Sequence, residues 1–428
     1  MVDGAIPPGI QNAEMDKARA FPQPRSIIKS YIHSDSSAAQ RAVNAEIIRI
    51  APRLTAFRRQ LHQHPELSGA EFMTTSFLAK HLAAAKVPYR LGAGKRGIIT
   101  GIAPAAGLKA PVIALRADID ALPIPEKNHV SYRSQNEGVM HACGHDAHSA
   151  ILLGTTLALH HVGPLSTAWR SIFQPAEETG CGASEMVAQG AVKGVRAILA
   201  FHVDPNLPVG HVSITRGPQS AVCQDFVIEV HGQGGHGARP HKTIDPIAVA
   251  AQLVTLIYQA VPRQTDAREP LVVTIGVIQG GSANNIIPDA VLMKGTIRSF
   301  NREVSDQARR TIQRLCAGTA HAFGASINAR FDRLLAGVVN DPTVTDICLK
   351  TARRFLGEDH VETNRKPTLG AEDFADYLDA VPGCMILIGV KAPGKNITPL
   401  HTNTFNLDEE VLPLGVRLFA QILLEWPA

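Results

Sequence analysis

Four apolar stretches of strand length, each running directly into acids or histidines, constrain the fold of this chain more than any other feature of its sequence. PVIALRA leads into RADIDALP, which places Arg116, Asp118 and Asp120 at the end of a buried run. Trp169–Phe173 precedes the adjacent carboxylates Glu177 and Glu178, Val195–Phe201 precedes His202, and Cys384–Val390 leads through a loop to His401 in PLHTNTF. In open α/β sheets, ligands gather at the carboxyl ends of the strands, where loops converge on a crevice. Helical stretches lie between the runs, among them Gly182–Gln189 and Asp408–Trp426. The alternation predicts an α/β fold with a helix-covered, mostly parallel sheet.

The pattern changes between Cys223 and about Phe331. CQDFVIEVHG reads as a strand, DPIAVAAQLVTLIYQAV as a helix started by Asp245 and Pro246, and LVVTIGVIQGG as a second strand. AVLMKGTIRSF, SDQARRTIQRLCAGTAHAFG and ASINARF continue as strand, helix and strand, giving the βαββαβ order of a ferredoxin-like α+β unit. Such a unit is self-contained. The expected organisation is an irregular extension over residues 1–40, a larger domain in two parts over 41–222 and 333–428, and an inserted domain over 223–332. Two domains suit 428 residues, which exceed what one hydrophobic core usually fills.

Hydrophobic residues at 45% and charged residues at 19% fit an ordinary globular chain, and a net charge of +4 without a basic block argues against a nucleic-acid partner. The six cysteines lack short regular spacing, which fits a reducing compartment. The N-terminus, with Asp3, Pro7, Pro8 and Gly9, lacks a long apolar core, so neither a signal peptide nor a membrane span is expected and the cytoplasm is the expected location.

MHACGHDAHSA, Met140–Ala150, gathers three histidines, a cysteine and an aspartate. Thiolate and imidazole are borderline-soft metal donors, and Cys143 and His145, two apart, can both face one ion from a turn. Asp146 then stands where it could cap a helix over Ala147–Leu159 or orient a ligand imidazole. A capped helix with a buried thiol is the competing reading. Should Glu178, His202 and His401 converge on that pair, five mixed donors exceed the needs of one tetrahedral ion and suit two divalent ions a few ångströms apart. Glu177 would then remain free as a general base, against the alternative that both glutamates face solvent at a helix start.

Other polar groups carry weaker signals. His62 and His64 close a helix that begins near Ala42 and stops before Pro65, where a surface or capping role is commoner than a ligating one. GQGGHGARPH surrounds His236 with glycines that permit close backbone approach, and Asn284, Asn285 and Arg298 include an amide and a guanidinium able to hold a carboxylate. A flexible hairpin, a turn and a surface arginine are the alternatives.

Taken together, RRQLHQHPELSGAEF, RADIDALP, MHACGHDAH, FQPAEET, GQGGHGARPH, GGSANNIIPD, GAEDFADY and PLHTNTF make the chain similar to the bacterial and plant amidohydrolases related to hippurate hydrolase, N-acyl-amino-acid amidohydrolase and auxin-conjugate hydrolase. These belong to a larger group of dinuclear metallo-aminoacylases and carboxypeptidases. The resemblance runs collinearly from about residue 45 to the C-terminus and leaves the N-terminal extension outside it. It implies a metal-binding domain with an inserted lid whose outer surface makes a homodimer, with a higher oligomer left open. It implies Cys143, His145, Glu178, His202 and His401 as ligands of two divalent ions per subunit, zinc or manganese, with cobalt and nickel also admitted. Glu177 matches the general base, and His236 the lid histidine that reaches the reacting carbonyl across the dimer. Asn285 and Arg298 match positions that help hold the substrate carboxylate, and Asp118 lies near the metals in that pattern. Arg116 stands where more distant relatives place a first histidine ligand, so the cysteine-containing branch is the closer comparison.

The expected activity is hydrolysis of N-acyl amino acids to a carboxylic acid and a free amino acid. A dipeptidase or carboxypeptidase-like enzyme of the same class is the first alternative. A binding protein that keeps the fold without turnover is the second.

Overall fold

The computed structural model describes residues 37–101 and 112–427, so the extension expected over residues 1–40 lies outside the described residues apart from Ser37–Gln40. Ser37 opens helix α1 (Ala38–Gln63) with a reciprocal capping box to Gln40, and the helix ends at His64, before Pro65. Then come α2 (Phe72–Ala84), the edge strand β1 (Tyr89–Leu91), its neighbour β2 (Ile98–Thr100), and β3 (Val112–Asp118). The chain continues through α3 (His145–Val162), β4 (Ala168–Gln174), α4 (Gly182–Ala188), β5 (Val195–Pro208), β6 (Val212–Ser213) and β7 (Gly217–Pro218). A second sheet follows in β8 (Val222–His231), β9 (Gly235–His236), α5 (Pro246–Arg263), β10 (Leu271–Gly280), β11 (Ile286–Ile287), β12 (Ala290–Ser299), α6 (Arg302–Phe323) and β13 (Ser326–Phe331). β14 (Val339–Asn340) pairs with β7, and the chain closes with α7 (Pro342–Leu356), β15 (Val361–Glu362), α8 (Ala375–Leu378), β16 (Gly383–Lys391) and α9 (Val411–Leu424).

The eight-stranded sheet runs β1-β2-β4-β3-β5-β16-β6-β15. Its centre, β4, β3, β5 and β16, is parallel throughout, and antiparallel pairing is confined to β1, β2 and the β16–β6 contact. The four expected strands therefore lie side by side with their carboxyl ends together. One difference from the sequence reading concerns β5. It was expected to stop at Phe201, but its pairing with β16 continues past His202, so that histidine projects from within the strand.

One face is covered by α1, α3 and α9, whose residues pack with those of the sheet into a single apolar core. Helix α3 is buried from His145 to Leu159, as expected of a helix enclosed on all sides. The helices approach closely at Gly154, where a Cβ would lie 2.3 Å from Leu54 Cδ2 and 2.9 Å from Val416 Cγ2. Met186, Val338, Phe374, Tyr377 and Met385 belong to a smaller core on the sheet's other face. The four-stranded sheet has the order β10-β12-β8-β13, antiparallel throughout, and packs α5 and α6 over a separate core that includes Phe226, Leu253, Ile297 and Ile312. Together with the intervening helices this gives the expected βαββαβ order, to which β9 and β11 add a two-stranded ribbon.

Candidate active site and metal centre

The carboxyl ends of the central strands bring together side chains far apart in sequence. Cys143 Sγ lies 3.5 Å from His202 Nε2 and 3.3 Å from His401 Nε2. Glu178 Oε1 lies 3.6 Å from His401 Nε2 and 3.8 Å from His145 Nε2, which is also 3.8 Å from Glu177 Oε2 and from Asp118 Oδ2. Within each of the sets Cys143/His145/His202, Cys143/Glu178/His401 and His145/Glu177/Glu178, the donor atoms fall within 4.8 Å of one another. All five expected ligand side chains and Glu177 therefore share one crevice.

Local backbone explains how. Gly144 takes φ 85°, which turns the chain between Cys143 and His145 so that both face inward, and His145 opens α3. Ala176 and His401 are also left-handed, at φ 55° and 59°, conformations that cost energy in residues other than glycine and recur at functional sites. Ala176 precedes the glutamate pair, and its N–H donates to the buried carboxylate of Glu71 at 2.7 Å. The alternative of two solvent-facing glutamates at a helix start does not hold, because Glu177 is only 9% exposed and lies in a turn.

A second layer of residues orients the first. His145 Nδ1 donates to Asp120 through the carbonyl at 3.0 Å and Oδ1 at 3.1 Å, leaving Nε2 to face the crevice. Asp120 Oδ2 also accepts from the Glu178 N–H at 2.9 Å and from Ser68 Oγ at 2.7 Å. His148 donates from Nδ1 to Asp118 at 2.6 Å and accepts the Val203 N–H at 2.9 Å, fixing the strand next to His202. This corrects the sequence reading of Asp146. Its side chain neither caps α3 nor meets a ligand imidazole; it is buried against Arg58 Nε and His62 Nδ1, at 2.9 and 2.8 Å. His62 is accordingly buried between carboxylates rather than on a surface.

Arg116 is fully enclosed and spends its donors on Gln174 at 2.7 Å, Asp118 at 2.7 Å, Asp373 at 2.9 Å and Glu372 at 3.1 Å. Glu372 and Asp373 lie within 4.8 Å of Glu177 by their carboxylate oxygens. Sequence reasoning gave no role to either, nor to His148, and took Asp120 only as part of a charged strand end, although GAEDFADY, HDAH and RADIDALP contain them. Their signal was the polar residue inside an otherwise buried run.

Electrostatics follow from this crowding. Burial, then Glu372 and Asp373, push Glu177 well above the usual carboxylate range. Burial, with Glu372 beside it, raises Asp373 to about 8. Burial also raises the Cys143 thiol, and burial with His148 lowers His202 to about 3. Burial would lower His145 too, but Asp118, Cys143 and Asp120 outweigh it and raise that imidazole well above its usual value. Asp118 is held far down because His145, His148 and Arg116 outweigh its own burial.

A divalent cation fits this donor set. His145 Nε2 and Glu178 Oε1 are buried without a hydrogen-bond partner, an arrangement costly unless a positive centre completes it. Thiolate, imidazole and carboxylate together suit borderline metals.

The other expected site residues lie elsewhere. His236, on β9, is exposed and sits beside Asn285, whose carbonyl accepts the Gly237 N–H at 2.8 Å. Asn285 is itself exposed. Arg298, on β12, donates to the Leu369 carbonyl at 2.8 Å. Among the described residues, no hydrogen bond or ion pair joins these three to the Cys143 cluster.

Comparison with known proteins agrees with this architecture. The chain is 37% identical over 375 residues to thermostable carboxypeptidase 2 of Saccharolobus solfataricus, covering 86% of this chain and 94% of that protein. It is 37% identical over 372 residues to N-acetylcysteine deacetylase of Bacillus subtilis, covering 86% and 96%. The crystal structure of the Bacillus subtilis YXEP protein, described as a dinuclear metal binding peptidase from the M20 family, superposes with a TM-score of 0.75 at 34% identity, covering 88% of this chain and 98% of that one. Residues 114–425 match the model of peptidase family M20/M25/M40, and the chain belongs to that family.

Proposed function

We propose that this chain is an amidohydrolase that cleaves N-acyl amino acids to a carboxylic acid and a free amino acid. The chain is a metal-dependent hydrolase acting on amides. What carries the proposal is Glu177, a buried carboxylate beside the converging donors, 3.8 Å from His145 Nε2 and hydrogen-bonded to none of them.

Cys143, His145, Glu178, His202 and His401 would hold two divalent ions, zinc or manganese in our reading. Bound cations would supply Lewis acidity, polarising the amide carbonyl and bringing the ionisation of water to about pH 7. The chain's own residues do the rest. Glu177 takes the proton of the attacking water and returns it to the departing nitrogen, so that the amine leaves neutral. Asp120 keeps the His145 Nε2 lone pair turned inward, and Asp118, braced by Arg116 and His148, fixes the strand end.

We assign His236, Asn285 and Arg298 to the substrate, with His236 donating to the developing oxyanion in the active site of a second copy and Asn285 and Arg298 holding the carboxylate. The exposure of His236, with no hydrogen bond or ion pair among the described residues to the chain's own cluster, supports exchange between two copies. An inserted domain over residues 223–332 would make the homodimer, and the free edge of β10, with Val272 and Ile278 exposed, offers an interface for it. A cytoplasmic setting accords with six unpaired cysteines.

The similarity to a carboxypeptidase favours a second reading, a dipeptidase or carboxypeptidase-like enzyme whose substrates are peptides rather than acylated amino acids. Metal-reconstituted protein supplied with N-acetyl amino acids and with matched unacylated dipeptides separates the two. Release of amino acid from the acylated set at the higher kcat/KM supports the amidohydrolase, and preference for the dipeptides overturns it.

A further inference from the structure

We infer that Arg58 and His62 are positioning residues for the metal centre, clasping together the two segments that carry His145 and His401. The inference rests on reading those histidines as ligands. Arg58 is wholly buried in α1, and its guanidinium acts in two directions. Nε donates to Asp146 Oδ2 at 2.9 Å, while Nη1 donates to Glu409 Oε1 at 3.1 Å and Nη2 to Asn406 Oδ1 at 3.5 Å. Asp146 is bonded to His145 in the chain, and Asn406 and Glu409 belong to the segment that follows His401. One side chain therefore ties the start of α3 to the loop beyond β16.

His62, one helical turn along, makes a second circuit. Its Nδ1 donates to the same Asp146 oxygen at 2.8 Å and its Nε2 to Glu126 Oε1 at 3.2 Å. Asn128 donates to that glutamate oxygen at 3.0 Å and to the Phe405 carbonyl at 2.9 Å, and the Lys127 N–H donates to the Asn403 carbonyl at 2.7 Å. Both circuits thus start at Asp146 on α3, pass through α1 at Arg58 or His62, and arrive at residues 403–409. Arg59 grips Glu409 from outside at 2.6 Å, and the Tyr132 ring lies 5.0 Å from the Arg58 guanidinium and 4.7 Å from that of Arg59.

His401 needs such an anchor. Its side chain is 54% exposed and its backbone is left-handed at φ 59°, so packing does not hold the ring. Its N–H donates to the Ala142 carbonyl at 2.9 Å and its ring meets Cys143 Sγ at 3.3 Å, and the fastening of the segment that follows adds to these two holds. A buried charge network with its donors satisfied fixes geometry, and groups behind a ligand govern metal affinity although they never touch the ion.

The test titrates the metal-free full-length chain with Mn²⁺ by calorimetry, measuring the unfolding midpoint of the same metal-free samples. The parent should take up two ions, and Arg58→Lys and His62→Gln should each weaken uptake by about 10- to 100-fold. Because substitutions this deeply buried can unfold the chain, Glu409→Gln, at a side chain 18% exposed, is the companion variant. It leaves the Arg58 to Asp146 contact in place and should weaken one of the two binding events only. If midpoints fall while the isotherms superpose on the parent's, Glu409→Gln included, the residues serve folding alone and the inference is overturned. A parent chain that takes up no Mn²⁺ overturns the metal reading, and the clasp with it.

Discussion

Asp120 holds His145 by two acceptors at once, its backbone carbonyl at 3.0 Å and its carboxylate at 3.1 Å, and so determines which imidazole nitrogen faces the crevice. The same carboxylate accepts the Glu178 N–H, so one residue orients two of the candidate ligands. Asp120→Ala should leave the chain folded but weaken divalent-metal uptake by about 10- to 100-fold. Equilibrium dialysis against Zn²⁺ checks this, and an unchanged affinity would remove Asp120 from the account.

The proposed exchange of His236 between copies has a direct genetic test. Glu177→Gln and His236→Ala should each be inactive alone. Co-expressed, they should form mixed dimers in which one of the two sites has both residues intact, recovering about a quarter of parental activity under random pairing of a two-fold dimer. No recovery from verified mixed dimers would place His236 outside the neighbouring site.

Gly144 joins two candidate ligands at φ 85°, and a Cβ there would lie 2.6 Å from Val203 Cγ2. Gly144→Ala should therefore cost about 1–3 kcal/mol of stability through backbone strain, with further loss from the close contact. The unfolding midpoint reads it, and a midpoint equal to the parent's would show that the turn relaxes freely.

Much of this architecture was legible in the sequence, and the exceptions have physical causes. Strand-length apolar runs revealed β3, β4, β5 and β16 because strands buried on both faces read as continuous hydrophobic stretches. The end of β5 was misjudged because His202 and Asp204 interrupt the apolar run, whereas backbone pairing with β16 continues through both. Asp146 and Asp120 could not be told apart from sequence. Asp146 stands next to a candidate ligand in the sequence whereas Asp120 lies twenty-five residues from His145, and only the fold sends Asp146 to Arg58 and brings Asp120 to His145. Arg298 was equally opaque, since its bond to the Leu369 carbonyl depends on a loop seventy-one residues away.

His81 offers a pH signature away from the metal site. Its ring lies between Phe57 and Phe77, with centroids at 4.6 Å from each, and burial followed by the Arg53 and Lys80 charges lowers its pKa from 6.5 to about 4. The unfolded chain binds this proton below pH 6.5 and the folded chain does so only near pH 4. The folded state therefore keeps its full stability above 6.5 and loses part of it as pH falls through that window. His81→Phe should flatten the decline in unfolding midpoint between pH 6.5 and 4 relative to the parent. Parallel curves for the two chains would contradict the assignment.

The central claim is that Glu177 moves the proton while its neighbours hold the ions. The most direct measurement is free amino acid released from an N-acyl amino acid by the metal-reconstituted parent and by Glu177→Gln, with metal content determined on the same samples. Equal metal and a turnover lowered by about 10²- to 10⁴-fold in the variant are the expected result. Near-parental turnover by Glu177→Gln with its ions in place would contradict it.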